Sequence, residues 1–499
     1  MGQLFEKLIQ YSETDYYPYH MPGHKRTALG SLSKEIADID ITEIDGFDNL
    51  HQPEELLKKL QEEASRLYGA EETFYLINGS TCGILSAISA AVPDGGHILI
   101  ARNSHKSTYH AIYLKNLTIS YLYPQMHSEY DIMEAITPEM VAACLEQEPH
   151  IDAVFVVSPT YEGRIADIKR IAEIVHKKGI PLIVDEAHGA HLGMADGFAP
   201  NSCQAGADLV IHSVHKTLPA MTQTALLHVN GSLIQRDVLK RYLHIYQSSS
   251  PSYVLMASID NALHLVKEEG EQLFAQFYKN YKEMLQKLQD CQYLQFLQAE
   301  DGVQDIGKLV IFSGKSGLSG KQIYDILLQK YHLQLEMCAG NFCLAMFTIA
   351  DKAEAYERMT QALLSIDAQI NAQQAYQQAG VTTQIETKRI RRQSGASAHI
   401  DAQEVWQQTK DAIPFARAWD MPKELIPLKV AIGRRVGEFI NLYPPGIPLL
   451  VPGEVLEEAQ YRQIMDYIAK GLTVQGLQQG SLPIIQDNIN EADNRKEYI

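Results

Sequence analysis

Gly179-Ile180-Pro181-Leu182-Ile183-Val184-Asp185-Glu186-Ala187-His188-Gly189-Ala190-His191 is an apolar run that ends in charge. Ala207-Asp208-Leu209-Val210-Ile211-His212-Ser213-Val214-His215-Lys216-Thr217 has the same plan. Short apolar runs bounded by turn signals read as fully buried strands. Strands buried on both faces belong to parallel sheets. Each run delivers a charged residue, Asp185 or Lys216, just past its C-terminal end. In open α/β sheets that edge is where ligands bind.

Working outward, apolar runs recur at Thr73–Ile77, His97–Ala101, Thr118–Tyr123, Ala153–Val157, Pro181–Val184, Leu209–His212 and Thr224–His228. Helical patterns such as Ile165–His176 lie between several of them. This alternation predicts an α/β unit with a mostly parallel sheet covered on both faces. Residues 1–55 read as an N-terminal arm, and Pro53 is expected to open a helix reaching about residue 68. Residues 56–265 form the large domain, and a long helical pattern runs from about 257 to Leu288. Lys308–Phe312, a helix Ser319–Tyr331, the paired runs Leu333–Met337 and Phe342–Phe347, and a helix from Asp351 to Ile370 make a small α+β domain, 266–370. Residues 371–395 are rich in Gln, Thr and Arg and read as a linker or exposed helix. Residues 396–499 form a C-terminal α+β domain, with a polar tail expected to fray after about 480.

A chain of 499 residues is too long for one simple core. The hydrophobic fraction of 45% and charged fraction of 21% are those of a soluble globular protein. No apolar run reaches the roughly 18 residues of a membrane span. The start, Met1-Gly2-Gln3-Leu4-Phe5-Glu6-Lys7, has neither a secretory signal nor a myristoylation signal, so a cytoplasmic location is expected. The six scattered cysteines fit a reducing compartment and form no zinc pattern. His188 and His191 stand three apart, a spacing that suits a metal on a helix, but their place after a strand-end aspartate favours another role. No metal is expected. A net charge of −18 argues against nucleic acid and is compatible with a cationic substrate.

A lysine and an aspartate held together at a sheet edge suit pyridoxal phosphate. Lys216 would be the Schiff-base lysine, and Asp185 would keep the pyridine nitrogen protonated. Taken singly, each also fits a plainer role, a solvated strand end or a helix cap. Ile77-Asn78-Gly79-Ser80-Thr81-Cys82-Gly83 comes after the first strand and opens a helix, where small residues, amide donors and hydroxyls suit a phosphate. Simple capping by Ser80 or Thr81 is the other reading. Arg102-Asn103-Ser104-His105-Lys106-Ser107 ends the next strand, and His105 is the candidate to stack on the cofactor ring. Ser213 and His215 flank the lysine within reach of the phosphate. Lys216 must be partly neutral to exchange with a substrate amine, so cationic and desolvated surroundings are expected to lower its pKa.

These motifs, with Pro22-Gly23-His24-Lys25 at the start and Pro444-Pro445-Gly446-Ile447-Pro448 and Pro452-Gly453-Glu454 near the end, resemble the pyridoxal-phosphate-dependent ornithine/lysine/arginine decarboxylases. The likeness runs in order along almost the whole chain. It implies the aspartate aminotransferase fold (fold type I) and catalytic roles for Lys216, Asp185 and His105. It sets Ser80, Thr81, Cys82, Ser213 and His215 around the phosphate and Ala187 and His188 along the ring. Ser248–Tyr253 is similar to a family loop that reaches a partner's site, so a homodimer or higher homo-oligomer with shared active sites is implied. Cys82 stands where many relatives carry Ser or Thr. The chain starts almost at the Pro-Gly-His-Lys arm and so resembles the shorter, wingless Gram-positive type.

Decarboxylation of a basic amino acid, and a place in polyamine biosynthesis, are what the resemblance implies. The residues themselves point only to the cofactor. An aminotransferase or aldolase on the same fold, or a non-catalytic pyridoxal-phosphate-binding protein, are the alternatives. A cationic side chain needs an acidic partner. Glu454 is the candidate, with Asp45 and Asp48 as outsiders. Arginine would favour a bidentate carboxylate and lysine a point contact. The short type suggests arginine first, then lysine, with ornithine also open.

Overall fold

The computed structural model describes every residue except 19–20, 23, 27–32, 131, 149, 298–301, 379–412, 443–445 and 487–499. The chain divides into two compact units. One comprises Met1–Leu285, Leu297–Val310 and Leu344–Tyr356. The other comprises Gln286–Phe296, Ile311–Cys343 and Glu357–Ile499.

The first unit is built on a sheet of β1 (Glu72–Leu76), β2 (His97–Ala101), β3 (Thr118–Leu122), β4 (Ala153–Val157), β5 (Leu182–Asp185), β6 (Leu209–Ser213) and β7 (Ala225–Val229). Their order is β1-β7-β6-β5-β4-β2-β3. Strands β2 to β6 pair in parallel, and β7 runs antiparallel to both β1 and β6. The sheet is thus mostly parallel, and the continuous apolar strands are its centre. Every residue of β5, β6 and β7 is buried. The register sets Val157 beside Asp185 and Asp185 beside Ile211, so Asp185 closes β5 at the sheet's C-terminal edge.

Helices cover the strands through apolar stripes. In the helix Ile168–His176, Ile168, Ile171, Ala172 and Val175 are buried, a 3.6-residue spacing. They pack in one cluster with Val154, Val156, Leu182, Val184 and Val210. Each buried Ile, Leu or Val among them contributes about 1.5–3 kcal/mol. Asp167 caps this helix by accepting from the Arg170 N–H at 3.1 Å.

One helix departs from expectation. It runs Leu56–Tyr68, beginning three residues after Pro53. Ahead of it, the Asp48 carboxylate accepts from the N–H groups of Glu54, Glu55 and Leu57 at 3.0, 2.9 and 3.0 Å. That anchored turn holds Pro53 and delays the first helical residue. Gly69 ends the helix in the left-handed region at φ 71°, where glycine has no Cβ penalty.

A 36-residue helix, Tyr253–Leu288, comes next. A second sheet has the order β10-β11-β9-β8, made of β8 (Gln295–Phe296), β9 (Lys308–Phe312), β10 (Met337–Ala339) and β11 (Phe342–Met346). The helix Gly320–Tyr331 opens with a capping box between Ser319 and Gln322. The next helix runs Ala353–Gln378, so the expected linker begins as helix and its remainder lies outside the described residues.

Near the C-terminus, β12 (Lys423–Pro427) pairs antiparallel with β16 (Ser481–Ile485). β13 (Ile440–Leu442), β14 (Pro448–Leu450) and β15 (Val474–Gln475) form a three-stranded sheet. Leu428, Val436, Ile440, Leu450, Leu456, Ile464, Leu482 and Ile484 share one core. The expected fraying after 480 is therefore corrected for residues 481–485, because Leu482 and Ile484 are buried there. Residues 487–499, Pro444, Pro445 and Gly23 lie outside the described residues.

Candidate active site

The site is built on the residues just past the C-terminal ends of β5 and β6. Asp185 is the last residue of β5 and is buried. Among the described residues its carboxylate accepts one hydrogen bond, from the Ala187 N–H at 3.1 Å. Burial holds its pKa above the ordinary carboxylate value, while the charge of Lys216 and the Ala187 bond pull it down. β6 ends at Ser213, and one helical turn, Val214–Thr217, presents Lys216. Lys216 Nζ lies 3.0 Å from His188 Nε2. The lysine that follows β6 thus meets His188, which stands three residues after Asp185 in the turn that follows β5.

The helix Gly79–Ala91 starts directly after β1. Its first amides have no intrahelical acceptor and carry the positive end of the dipole. Gly79 has φ 73°, which a side chain would strain. Ser80 Oγ lies 2.6 Å from Ser213 Oγ, which ties the helix start to the end of β6. Gly83 permits the close fit, since a Cβ there would stand 2.7 Å from Leu76 Cδ1. Thr81 is exposed. Cys82 is buried, and its thiol donates to the Gly79 carbonyl at 3.1 Å. Burial pushes that thiol up to about 12, so it stays protonated.

His105 caps the helix Lys106–Leu114, its Nδ1 accepting from the Ser107 N–H at 3.2 Å. The ring proton is therefore on Nε2. Burial, then the charges of Lys216, Lys106 and His110, lower its pKa to about 4, so the ring is neutral near pH 7. His215 donates from Nδ1 to the Thr224 carbonyl at 2.8 Å. Burial lowers its pKa, the Thr224 bond raises it and Lys216 lowers it again.

The two histidines of the Asp-Glu-Ala-His-Gly-Ala-His motif part company. His188 lies between two lysines, with Nε2 toward Lys216 and Nδ1 2.7 Å from Lys308 Nζ. The Tyr161 ring packs against it edge-on, 4.8 Å between centroids. His191 turns instead to Asp305, 3.0 Å from Nε2 to Oδ1. The two rings thus enter separate pairings.

Glu454 belongs to the second unit, where its carboxylate accepts from the Val451 N–H at 2.9 Å. The outsider Asp48 is occupied in capping Leu56–Tyr68. Ser248, in the loop expected to reach a partner, donates its N–H to Asn78 Oδ1 at 3.0 Å, just ahead of the helix that begins at Gly79. Sequence reasoning missed Lys308 and Tyr161. The signal for Lys308 was a single cation opening the apolar run Leu309-Val310-Ile311-Phe312.

Among the described residues, no helix is long and apolar enough to cross a membrane. The sequence matches a family model described as Orn/Lys/Arg decarboxylase, major domain, over residues 2–305. A second model, the C-terminal domain of the same family, matches residues 397–478. An arginine decarboxylase of Bacillus subtilis is 29% identical, with 97% of both chains covered. A second B. subtilis protein, named only as uncharacterized protein YaaO, is 32% identical over 95% of both. The crystal structure of the Francisella novicida lysine decarboxylase LdcF superposes with a TM-score of 0.76 at 17% identity, covering 97% of this chain and 81% of that one. That likeness speaks for the fold.

Proposed function

The chain belongs to the Orn/Lys/Arg decarboxylase family, and from that membership we propose that it uses pyridoxal phosphate to remove CO2 from a basic amino acid, arginine first, with lysine and ornithine as the other substrates. The observation that carries the proposal is the meeting of Lys216, His188, Ser213 and Ser80 beside Asp185 at the C-terminal edge of one sheet. Arginine is favoured because a relative matching along 97% of both chains bears that activity in its name. The product would be agmatine, which suits polyamine synthesis in the cytosol.

The residues fit the cofactor. Asp185 is a buried carboxylate with one backbone donor, and a cationic ring nitrogen would offset the cost of its burial. Asn103 Oδ1 and Thr217 Oγ1 are buried without a partner among the described residues; Thr217 adjoins Lys216, and Asn103 stands two residues before His105. The helix start at Gly79–Thr81, with the Ser80 and Ser213 hydroxyls, is suited to a phosphate.

Lys216 would attach the cofactor, His105 would stack on its ring, and Asp185 would hold the ring nitrogen charged. His215 and Cys82 flank the phosphate region, and Ala187 and His188 line the ring. When bound, pyridoxal phosphate supplies a conjugated system that takes up the electron pair left on the α-carbon as CO2 departs. The neutral state of His105 leaves its face apolar toward an aromatic ring. Lys216 takes and returns the proton that accompanies exchange with the substrate amine. A second copy of the chain is proposed as the neighbour that completes a shared site.

The test is direct. Purified protein is mixed with pyridoxal phosphate and its visible absorbance recorded. Arginine, lysine and ornithine are then added separately, and CO2 and amine are assayed. A bound-cofactor band absent from a folded Lys216→Ala variant, with CO2 from one of the three, is expected. A band without CO2 from any of them would overturn the substrate class and point to aminotransferase or aldolase chemistry.

A further inference from the structure

His188 has an amine at each ring nitrogen, Lys216 Nζ at 3.0 Å from Nε2 and Lys308 Nζ at 2.7 Å from Nδ1. A neutral imidazole has one acceptor nitrogen and one N–H. A lysine ammonium can only donate. Burial, then the charges of Lys216 and Lys308, hold the His188 ring neutral, and with a neutral ring both contacts are hydrogen bonds only if one lysine is ammonium and the other is a neutral amine that accepts. The three side chains then carry a single positive charge.

The surroundings decide where that charge sits. Lys308 is only 1% exposed, in a confined position at the start of β9. Its Nζ stands 5.6 Å from the Tyr161 ring centroid, a cation–π distance, and 3.5 Å from Met346 Sδ. It also acts on two acidic groups. Burial pushes the Asp305 carboxyl up, but His191 and Lys308 outweigh this and bring it below its ordinary value. Glu162, raised by burial, is drawn back by the same lysine. Among the described residues, Lys216 acts on the Asp185 carboxyl and on the rings of His105, His188 and His215, all of which are held toward the neutral form. In the proposed enzyme, Asp185 is committed to the cofactor's ring nitrogen.

We infer that Lys308 is a positioning residue: its ammonium donates to His188 Nδ1, fixes the Nε2–H tautomer, and so holds Lys216 as a neutral amine ready to attach the cofactor and to exchange with substrate. The value of that arrangement rests on Lys216 being the attachment amine. The order of charges itself does not, and it is tested without cofactor or turnover.

The full chain, freed of cofactor, is labelled with trace acetic anhydride across pH 6–11 and acetylation of Lys216 is read by peptide mass spectrometry. Wild type is expected to label Lys216 with a midpoint below that of exposed lysines. Lys308→Met should raise the midpoint by about one pH unit or more, because the competing ammonium is gone. Lys308→Arg should keep the low midpoint. An unchanged midpoint in a folded Lys308→Met protein overturns the inference. Should that variant not fold, 15N-histidine NMR of the wild type decides, with His188 assigned by His188→Gln. An unprotonated Nδ1 with a protonated Nε2 is expected, and the opposite tautomer or a doubly protonated ring overturns it. Failure of the cofactor proposal would look different, as a normal labelling profile with no visible band on adding pyridoxal phosphate.

Discussion

Glu186 stands next to Asp185 and does unrelated work. It is buried, accepts from Ser202 Oγ at 2.6 Å, and meets His212 Nε2 at 2.6 Å. His212 continues to His228 at 3.0 Å, and His228 to Thr73 Oγ1 at 2.8 Å. This polar chain links β1, β7 and β6 to the turn after β5, where a half-satisfied network would be costly. Burial pushes the Glu186 carboxyl up to about 8 from an ordinary 4.5, with the Ser202 bonds pulling against it. Between those values the unfolded chain has released a proton that the folded protein keeps. Stability therefore falls as pH rises through that window, by at most about 1.4 kcal/mol per pH unit. Glu186→Gln keeps the shape and removes the titration. Urea unfolding at pH 5.5, 6.5 and 7.5 should show the variant gaining on wild type with each step. Parallel curves would refute the assignment. Residue by residue, Lys216 and Asp185 were legible because each comes after an apolar strand at an edge where ligands gather. Lys308 was not, since a cation opening a strand usually faces water, and only the folded chain sets it against His188. Glu454 was read from chemistry alone, and its carboxylate is engaged with its own turn.

Elements were most legible where burial is continuous. β2 and β4 match their apolar runs to the residue, because nothing polar interrupts His97–Ala101 or Ala153–Val157. Boundaries set by distant side chains were not. Asp48 decides where the helix Leu56–Tyr68 begins, and sequence spacing gives no hint that its carboxylate reaches Leu57. β16 was hidden by Pro483, which argues against a strand interior. It is tolerated here within a two-stranded sheet, opposite Leu425. The helix Gly320–Tyr331 shows how local chemistry can suffice. Ser319 accepts from the Gln322 N–H at 3.2 Å, and Gln322 Oε1 accepts from the Ser319 N–H at 2.8 Å. Ser319→Ala should destabilise the protein by about 1 kcal/mol, within the usual range for a lost N-cap. A shift in the denaturant midpoint would report it, and an unaltered midpoint would mean that solvent replaces the cap without cost.

On the scale of the whole molecule, the first unit draws in Leu297–Val310 and Leu344–Tyr356 from far along the chain, which a linear division into domains does not anticipate. Lys308 arrives at His188 from the first of those returning segments. If the proposed cofactor binds only this assembled state, it stabilises by RT ln(1 + [L]/Kd), about 2.7 kcal/mol at a hundredfold excess over Kd. Pyridoxal phosphate should therefore raise the melting temperature of wild type and leave that of Lys216→Ala raised far less. Equal shifts would separate binding from attachment. The wide scatter of the site along the chain has one more consequence. Ser80, His105, Asp185, Lys216 and Lys308 meet only after some 230 intervening residues have been synthesised and packed. A polypeptide released early, or stalled before the segment carrying Lys308 docks, has no complete cradle. If the proposed cofactor attaches as inferred, its capture marks chains extended and packed past residue 308, well before synthesis reaches residue 499.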